Sequence, residues 1–362
     1  MTPKEAFEYA KIHGPWEKTR KIACGNYQYA YQYAAFIDTE PREDTREAVC
    51  RNPEYAYLYA LNVDQCPREN TREAACKDPE YAYYYALMID KKPREETRKA
   101  ACKDSKWAIA YALTIDKKPR NDTREAACRV ANWAYEYARD VDKKPRDDTR
   151  KAACGSPYFA YRYAKDIDKE FRDDTRKAAC KDPYYAYEYA TEVDNYCPTN
   201  ETRSSVCTFN YSSRGNIYKY AKYIDKGPHE DTRKACSESA EGAYRYALNI
   251  DKGPHEITMR AVCSCTQSLS DYAFKICNGP NDQMRIIACE RPRSAFFYAS
   301  EVDKCPREDT RKAACVNPKF AYLYAKDVDK ELKMDTWLAV KNTKYENKYR
   351  KLFNDPIKEL II

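Results

Sequence analysis

Arg20, Arg46, Arg72, Arg98, Arg124, Arg150 and Arg176 stand 26 residues apart, every time, and each follows a threonine. A strict period of this length is the mark of a repeat array, in which each copy stacks on its neighbours and no copy is a domain alone. It overrides the two-domain expectation that 362 residues would otherwise carry. The series continues less strictly at Arg203, Arg233, Arg260, Arg285 and Arg311, and a last copy carries Thr336-Trp337. A cysteine follows the arginine by four residues from Cys24 to Cys180, again at Cys207, Cys289 and Cys315, and one residue earlier at Cys236 and Cys263.

One unit covers residues 78–102. Its first half carries apolar residues at Tyr81, Ala82, Tyr85, Ala86 and Ile89, a helical stripe. Asp78 before Pro79 reads as an N-cap followed by proline at the first helical position. Pro93 is expected to open a second helix, with Glu95 and Glu96 in its first turn, where the helix dipole favours negative charge. The unit is therefore a hairpin of helices about 12 and 10 residues long. Thr97, Ala100, Ala101 and Cys102 are small and allow close packing. The chain is expected to be all-α, an α-solenoid of about 13 stacked two-helix repeats in a right-handed superhelix.

The expected layout is one solenoid over residues 1–340, with an N-terminal cap (1–25), regular repeats (26–194), degenerate repeats (195–293) and regular repeats (294–340). A capping helix over 341–362 closes it, with a final apolar turn at 357–362. Ala6, Phe7, Tyr9, Ala10 and Ile12 form a shortened first helix. In the degenerate part, 204–215 is a polar insertion holding Phe209, Tyr211 and Arg214. There Cys277 replaces the repeated aspartate, and Met259 and Met284 replace the threonine before the arginine.

Asp38, Asp64, Asp90, Asp116, Asp142, Asp168 and Asp194 end the first helix of successive units. A carboxylate at a helix C-terminus is unfavourable, so its recurrence demands a fixed partner. The arginine eight residues later is the expected one, Asp64 with Arg72 and Asp90 with Arg98, in an Asp–Arg ladder that includes Asp38, Arg46, Asp116, Arg124, Asp142, Arg150, Asp168 and Arg176. The backbone N–H groups opening the second helix are the alternative partner.

Tyr55 and Tyr59 share a face with Ala56, Ala60 and Val63 and are expected in the core, whereas Tyr57 points elsewhere. Its column, Tyr31, Tyr57, Tyr83, Tyr135, Tyr161 and Tyr187, either lines an aromatic groove for a partner or packs between hairpins. Phe209, Tyr211 and Arg214 join it as candidate partner contacts.

The unit D-P-x-Y-A-Y-x-Y-A-x-x-(V/I)-D-x-x-P-R-x-(D/E)-T-R-x-A-A-C, present over about residues 5–340, resembles short Tyr/Ala-rich repeats of bacteriophage and environmental bacterial proteins. Its architecture is similar to the tetratricopeptide, Sel1-like and HEAT solenoids, although 26 residues is shorter than any of their periods. The resemblance implies a phage-type origin and brings no activity with it.

No catalytic residue, metal site or cofactor is expected. Twelve of the 17 cysteines are repeat elements, no Cys-x-x-Cys occurs, and Cys263-x-Cys265 lacks two further ligands at zinc spacing. His229 and His255 occupy equivalent Gly-Pro-His-Glu loops. No phosphate loop, nucleophile elbow or HExxH is present. No apolar run spans a bilayer, and no membrane association is expected. The start, Met1-Thr2-Pro3-Lys4-Glu5, has no signal-like apolar run. Free thiols then fit a reducing, cytoplasmic setting.

The expected function is a non-enzymatic protein-binding scaffold, a phage product that engages or inhibits a host protein. Its warrant is architecture and variable residues, Leu58, Tyr84, Ala110, Glu136 and Arg162, in a constant frame. The alternative is a nucleic-acid-binding solenoid using the basic loops at Lys91, Lys92 and Arg94, Lys117, Lys118 and Arg120, and Lys143, Lys144 and Arg146.

Overall fold

Each repeat folds as two antiparallel helices because its capping chemistry stops and restarts the chain twice. In the computed structural model, which describes residues 1–208 and 214–354 (Arg214 by its backbone alone), Asn52 and Asp78 cap their first helices. Asn52 Oδ1 accepts from the Tyr55 amide at 3.2 Å and Asp78 Oδ1 from the Glu80 amide at 2.9 Å. Pro53 and Pro79 follow at positions whose amide would have no helical partner. Among the described residues, twenty-seven α-helical segments form thirteen hairpins and one last helix, and no strand occurs. No described helix is long and apolar enough to cross a membrane.

The chain divides into two compact units, Met1–Lys181 and Asp182–Ile362. The first holds seven hairpins, beginning with Pro3–His13 and Glu17–Ala23. Pro3–His13 is a full-length helix, with Thr2 and Glu5 in a capping box; Ala6, Phe7 and Ala10 are buried, whereas Tyr9 and Ile12 are exposed. The second unit holds six hairpins and the helix Glu346–Leu352. The expected final turn at 357–362 lies outside the described residues.

Two features of the hairpin depart from the pattern read in sequence. The second helix has seven residues, Glu95–Ala101, with Arg94 as its N-cap, so Pro93 precedes the helix instead of opening it. Arg94 is extended (φ −129°, ψ 149°), and its amide and carbonyl are held by the next hairpin. The first helix, Pro79–Tyr84, continues as a π turn, Tyr85–Asp90. The same ending recurs, for example at Ala60–Asp64, Ala112–Asp116, Ala247–Asp251 and Ala325–Asp329.

The π turn has a geometric consequence. In an α-helix, residues five apart point about 140° away from each other. A π turn closes i to i+5, which brings them to one face. The Asp38 amide donates to the Tyr33 carbonyl at 3.0 Å, and the Asp225 amide to that of Tyr220 at 3.0 Å. A tyrosine and the aspartate five residues on can therefore reach the same preceding helix.

After each π turn the chain reverses through a left-handed residue. Lys91, Lys117, Lys143, Lys169, Lys226, Lys252, Lys304 and Lys330 all have φ between 52° and 57°. Asparagine stands at the equivalent Asn195 and Asn278, also with positive φ.

Candidate binding face

The core is built from a repeated four-residue lock. Thr71 and Arg72 sit on a second helix, and Tyr85 and Asp90 on the first helix of the next hairpin. Tyr85 is fully buried. Its hydroxyl meets Thr71 Oγ1 at 2.9 Å, accepts from the Arg68 amide at 3.0 Å and donates to the Arg68 carbonyl at 2.9 Å. A buried phenol is thus fully satisfied by the turn that starts the preceding helix. The Arg72 guanidinium lies 5.6 Å from the Tyr85 ring centre and grips Asp90 with a fork: Nη2 to Oδ1 at 2.8 Å and Nε to Oδ2 at 3.1 Å. Burial works against the Arg72 charge, but the Asp90 hydrogen bonds and charge outweigh it and hold its pKa above the usual arginine value.

The arginine therefore pairs with the aspartate 18 residues later, one hairpin on. Arg20–Asp38, Arg46–Asp64, Arg124–Asp142 and Arg150–Asp168 repeat this in the first unit. Arg233–Asp251, Arg285–Asp303 and Arg311–Asp329 repeat it in the second. The pairing expected from spacing, Asp64 with Arg72 and Asp90 with Arg98, is one hairpin out of register. Arg98 turns forward, reaching Asp122 at 2.8 Å and Asp116 at 3.4 Å. Burial raises the Asp116 pKa in spite of Arg98 and Arg120 beside it. Arg176 meets Asp173 at 3.5 Å and lies over the Phe171 ring.

The irregular copies keep the lock or replace one half of it. Around the 204–215 insertion, Thr202 still meets Tyr220 at 2.7 Å and Arg203 meets Asp225 at 2.9 Å. Thr258 holds Tyr272 at 2.7 Å, so Thr258 is the repeat threonine and the buried Met259 stands in the arginine's place. Arg260, read from sequence as the repeat arginine, instead faces solvent with Glu256 and Glu290. Met259 and Cys277 join one apolar cluster where an Arg–Asp pair would be. Met284 does replace a threonine, and the Tyr298 hydroxyl is left with the Asn281 backbone, its pKa pushed by burial to about 12. In the last hairpin Trp337 replaces the arginine, and Arg350 of the final helix lies 5.2 Å from its ring. Tyr349 of that helix repeats the tyrosine contact with Thr336 at 2.8 Å, so this helix caps the last hairpin as a partial repeat.

The Tyr57 column lies in the seam between successive first helices. Tyr83, Tyr135 and Tyr161 are buried, and Tyr31, Tyr57 and Tyr187 half-buried. Four of these rings meet the aromatic residue four positions before the next locking tyrosine: Tyr31 on Tyr55 at 5.8 Å, Tyr57 on Tyr81 at 6.1 Å, Tyr83 on Trp107 at 5.2 Å, Tyr135 on Phe159 at 5.8 Å. Their hydroxyls bond the next hairpin too, as Asn62 to Tyr31 at 2.8 Å and Tyr135 to Asp166 at 2.6 Å. Phe209 and Tyr211 lie outside the described residues, as does the side chain of Arg214.

What this face offers to solvent is the set of positions beside that column. Three residues after the locking tyrosine come Phe36, Asn62, Met88, Thr114, Asp140 and Asp166, half-exposed or exposed. Leu58, Tyr84, Ala110, Glu136 and Arg162 are half-exposed one residue before it. Residues spaced by three or four share one helix face. Leu87, Met88 and Leu113 give this face an apolar stretch in the first unit, and Arg139, Asp140, Arg162 and Lys165 a charged one.

Burial pushes the repeat thiols up, to about 11 at Cys50, Cys76 and Cys154 and about 12 at Cys24 and Cys102. Cys265 differs: hydrogen bonds from Ser268 hold its thiol below the usual value. His229 and His255 cap second helices, accepting at Nδ1 from the Asp231 and Ile257 amides at 3.2 Å. Among the described residues no group of His, Cys, Asp or Glu is placed to hold a metal. Compared with known proteins, the chain matches no family model, no curated protein and no solved structure.

Proposed function

We propose that this chain is a protein-binding scaffold whose partner docks on the exposed face of the first helices. The observation that carries it is the contrast between lock and face. Thr, Arg, Tyr and Asp recur because stacking needs them, while the side chains beside them change freely among apolar, acidic and basic types. A solenoid that only had to stack would leave such positions uniformly polar. Exposed Met88 and Leu113 next to half-exposed Leu87 form the kind of apolar centre that protein interfaces use. The unit's resemblance to phage and environmental bacterial repeats suggests a bacterial host protein as the partner.

The test is capture from bacterial lysate, with and without nuclease, by the parent chain and by a Met88→Glu/Leu113→Glu variant. One stoichiometric protein that survives nuclease and is lost by the variant is the expected result. Bound material removed by nuclease overturns the proposal.

A second reading, nucleic-acid binding, is favoured by the left-handed lysines. Lysine recurs at these loop positions although glycine or asparagine adopts them at lower cost. This is expected if a cation is wanted there. Binding to phosphates would weaken steeply as salt rises, whereas docking on an apolar face would not.

A further inference from the structure

The second unit contains a cleft of about 600 Å³ beside Tyr218, lined also by Ile217, Cys236, Ser239 and Gly242. Its origin is a missing ring. In the regular copies the residue four before the locking tyrosine is aromatic, as at Tyr55, Tyr81, Trp107 and Phe159, and packs on the seam residue of the preceding hairpin, whereas Asn216, Gly242, Ser268 and Ser294 interrupt the series in four successive hairpins. Phe320 covers Phe296 at 6.2 Å and Tyr345 covers Tyr322 at 6.0 Å in this same unit. The residue placed to cover Tyr218 is Gly242, four before Tyr246. A Cβ there would lie 2.3 Å from the Cys236 carbonyl oxygen, so the local backbone admits no side chain. The next seam differs, since Ser268 stands opposite Tyr244 but the Lys275 side chain extends over the Tyr244 ring at 5.9 Å.

We infer that the cleft beside Tyr218 and Gly242 is a socket for an aromatic side chain of a partner protein, which takes the place of the ring this repeat omits. The occupant's chemistry is set by the regular copies, in which a phenol, phenyl or indole ring stands at the equivalent position. The rim favours an uncharged ring, because the lining holds two basic residues, Lys219 and Arg245, and two acidic ones, Glu238 and Glu241, and Arg245 already pairs with Glu241 at 2.7 Å. Aromatic pairs prefer offset or edge contacts at 4.5–7 Å, which the exposed flank of Tyr218 allows. That the ring arrives on a protein rests on the scaffold reading above.

The test uses the full chain labelled with [15N]glycine, whose eight glycines include the two that line the cleft, Gly215 and Gly242. The Gly242 amide donates to Ser239 Oγ at 3.1 Å at the cleft floor and is the reporter. N-acetyltyrosinamide is titrated against N-acetylleucinamide. Saturable shifts at Gly242, about tenfold tighter for the aromatic probe, are expected. Tyr218→Ala should weaken the aromatic probe about tenfold, and Tyr218→Leu serves if the alanine variant does not fold. No shift at Gly242, or equal response to the leucine probe, overturns the inference. A response that emerges only in a Phe209→Ala/Tyr211→Ala variant assigns the socket to the chain's own rings and overturns the partner. Met88→Glu/Leu113→Glu should leave the probe response intact, so failure of the scaffold reading and failure of the socket are read separately.

Discussion

Arg72 and Asp90 are joined by a fork of hydrogen bonds, the shortest 2.8 Å, although 18 residues and a hairpin boundary separate them. The Asp90 side chain is fully buried and that of Arg72 nearly so. Removing one partner strands a charge. Asp90→Ala should cost about 3 kcal/mol, whereas Arg72→Met/Asp90→Leu should fall within about 1 kcal/mol of the parent. Met259 and Cys277 are the chain's own version of that double replacement. In denaturation cycles, Arg72 and Asp90 should couple and Arg98 and Asp90 should add independently. Coupling of the second pair would refute the register.

Tyr85→Phe should cost about 1–3 kcal/mol, because Thr71 and the Arg68 backbone lose a shared buried partner. Tyr298→Phe should cost less, since Met284 offers no hydroxyl to strand. Equal losses in chemical denaturation would count against the role given to the threonine.

Lys117 holds φ at 52°, a conformation that penalises a Cβ. Lys117→Gly should leave stability unchanged or raise it by up to about 1 kcal/mol, and Lys117→Val should lower it by more than glycine raises it. Loss of polyanion affinity on combining Lys91→Gly, Lys117→Gly and Lys143→Gly would favour the nucleic-acid reading.

Thiolate is the form that alkylates. With thiols near 11 or 12, Cys50 and Cys102 should resist iodoacetamide at pH 8, and their rate should climb with pH as far as those values. Cys265, held below the usual thiol value, should react first among the partly buried cysteines. Mass spectrometry of a time course reads the order, and early loss of Cys50 would contradict the burial described.

The hairpins, their number and the first helices' caps were legible in sequence because they are local: a 26-residue period, Asp-Pro or Asn-Pro starts and an apolar stripe. The Leu58-to-Arg162 series was equally legible as variable, since variation in a fixed frame shows along the chain. The second helix is shorter than its sequence suggests, because Pro93 marks a start whose true N-cap, Arg94, is held by Tyr111 from the next hairpin. The cleft is not legible in sequence, because Gly242 has meaning only opposite Tyr218.

By itself, then, the sequence determined the all-α repeat, since periodicity and capping act within one helix. Tertiary structure decided which arginine meets which aspartate. Spacing alone favours the partner eight residues away. The π turn rotates Asp90 onto the face of Tyr85, and both are thereby aimed backward at Thr71 and Arg72, so stacking of successive hairpins, not chain distance, sets the register.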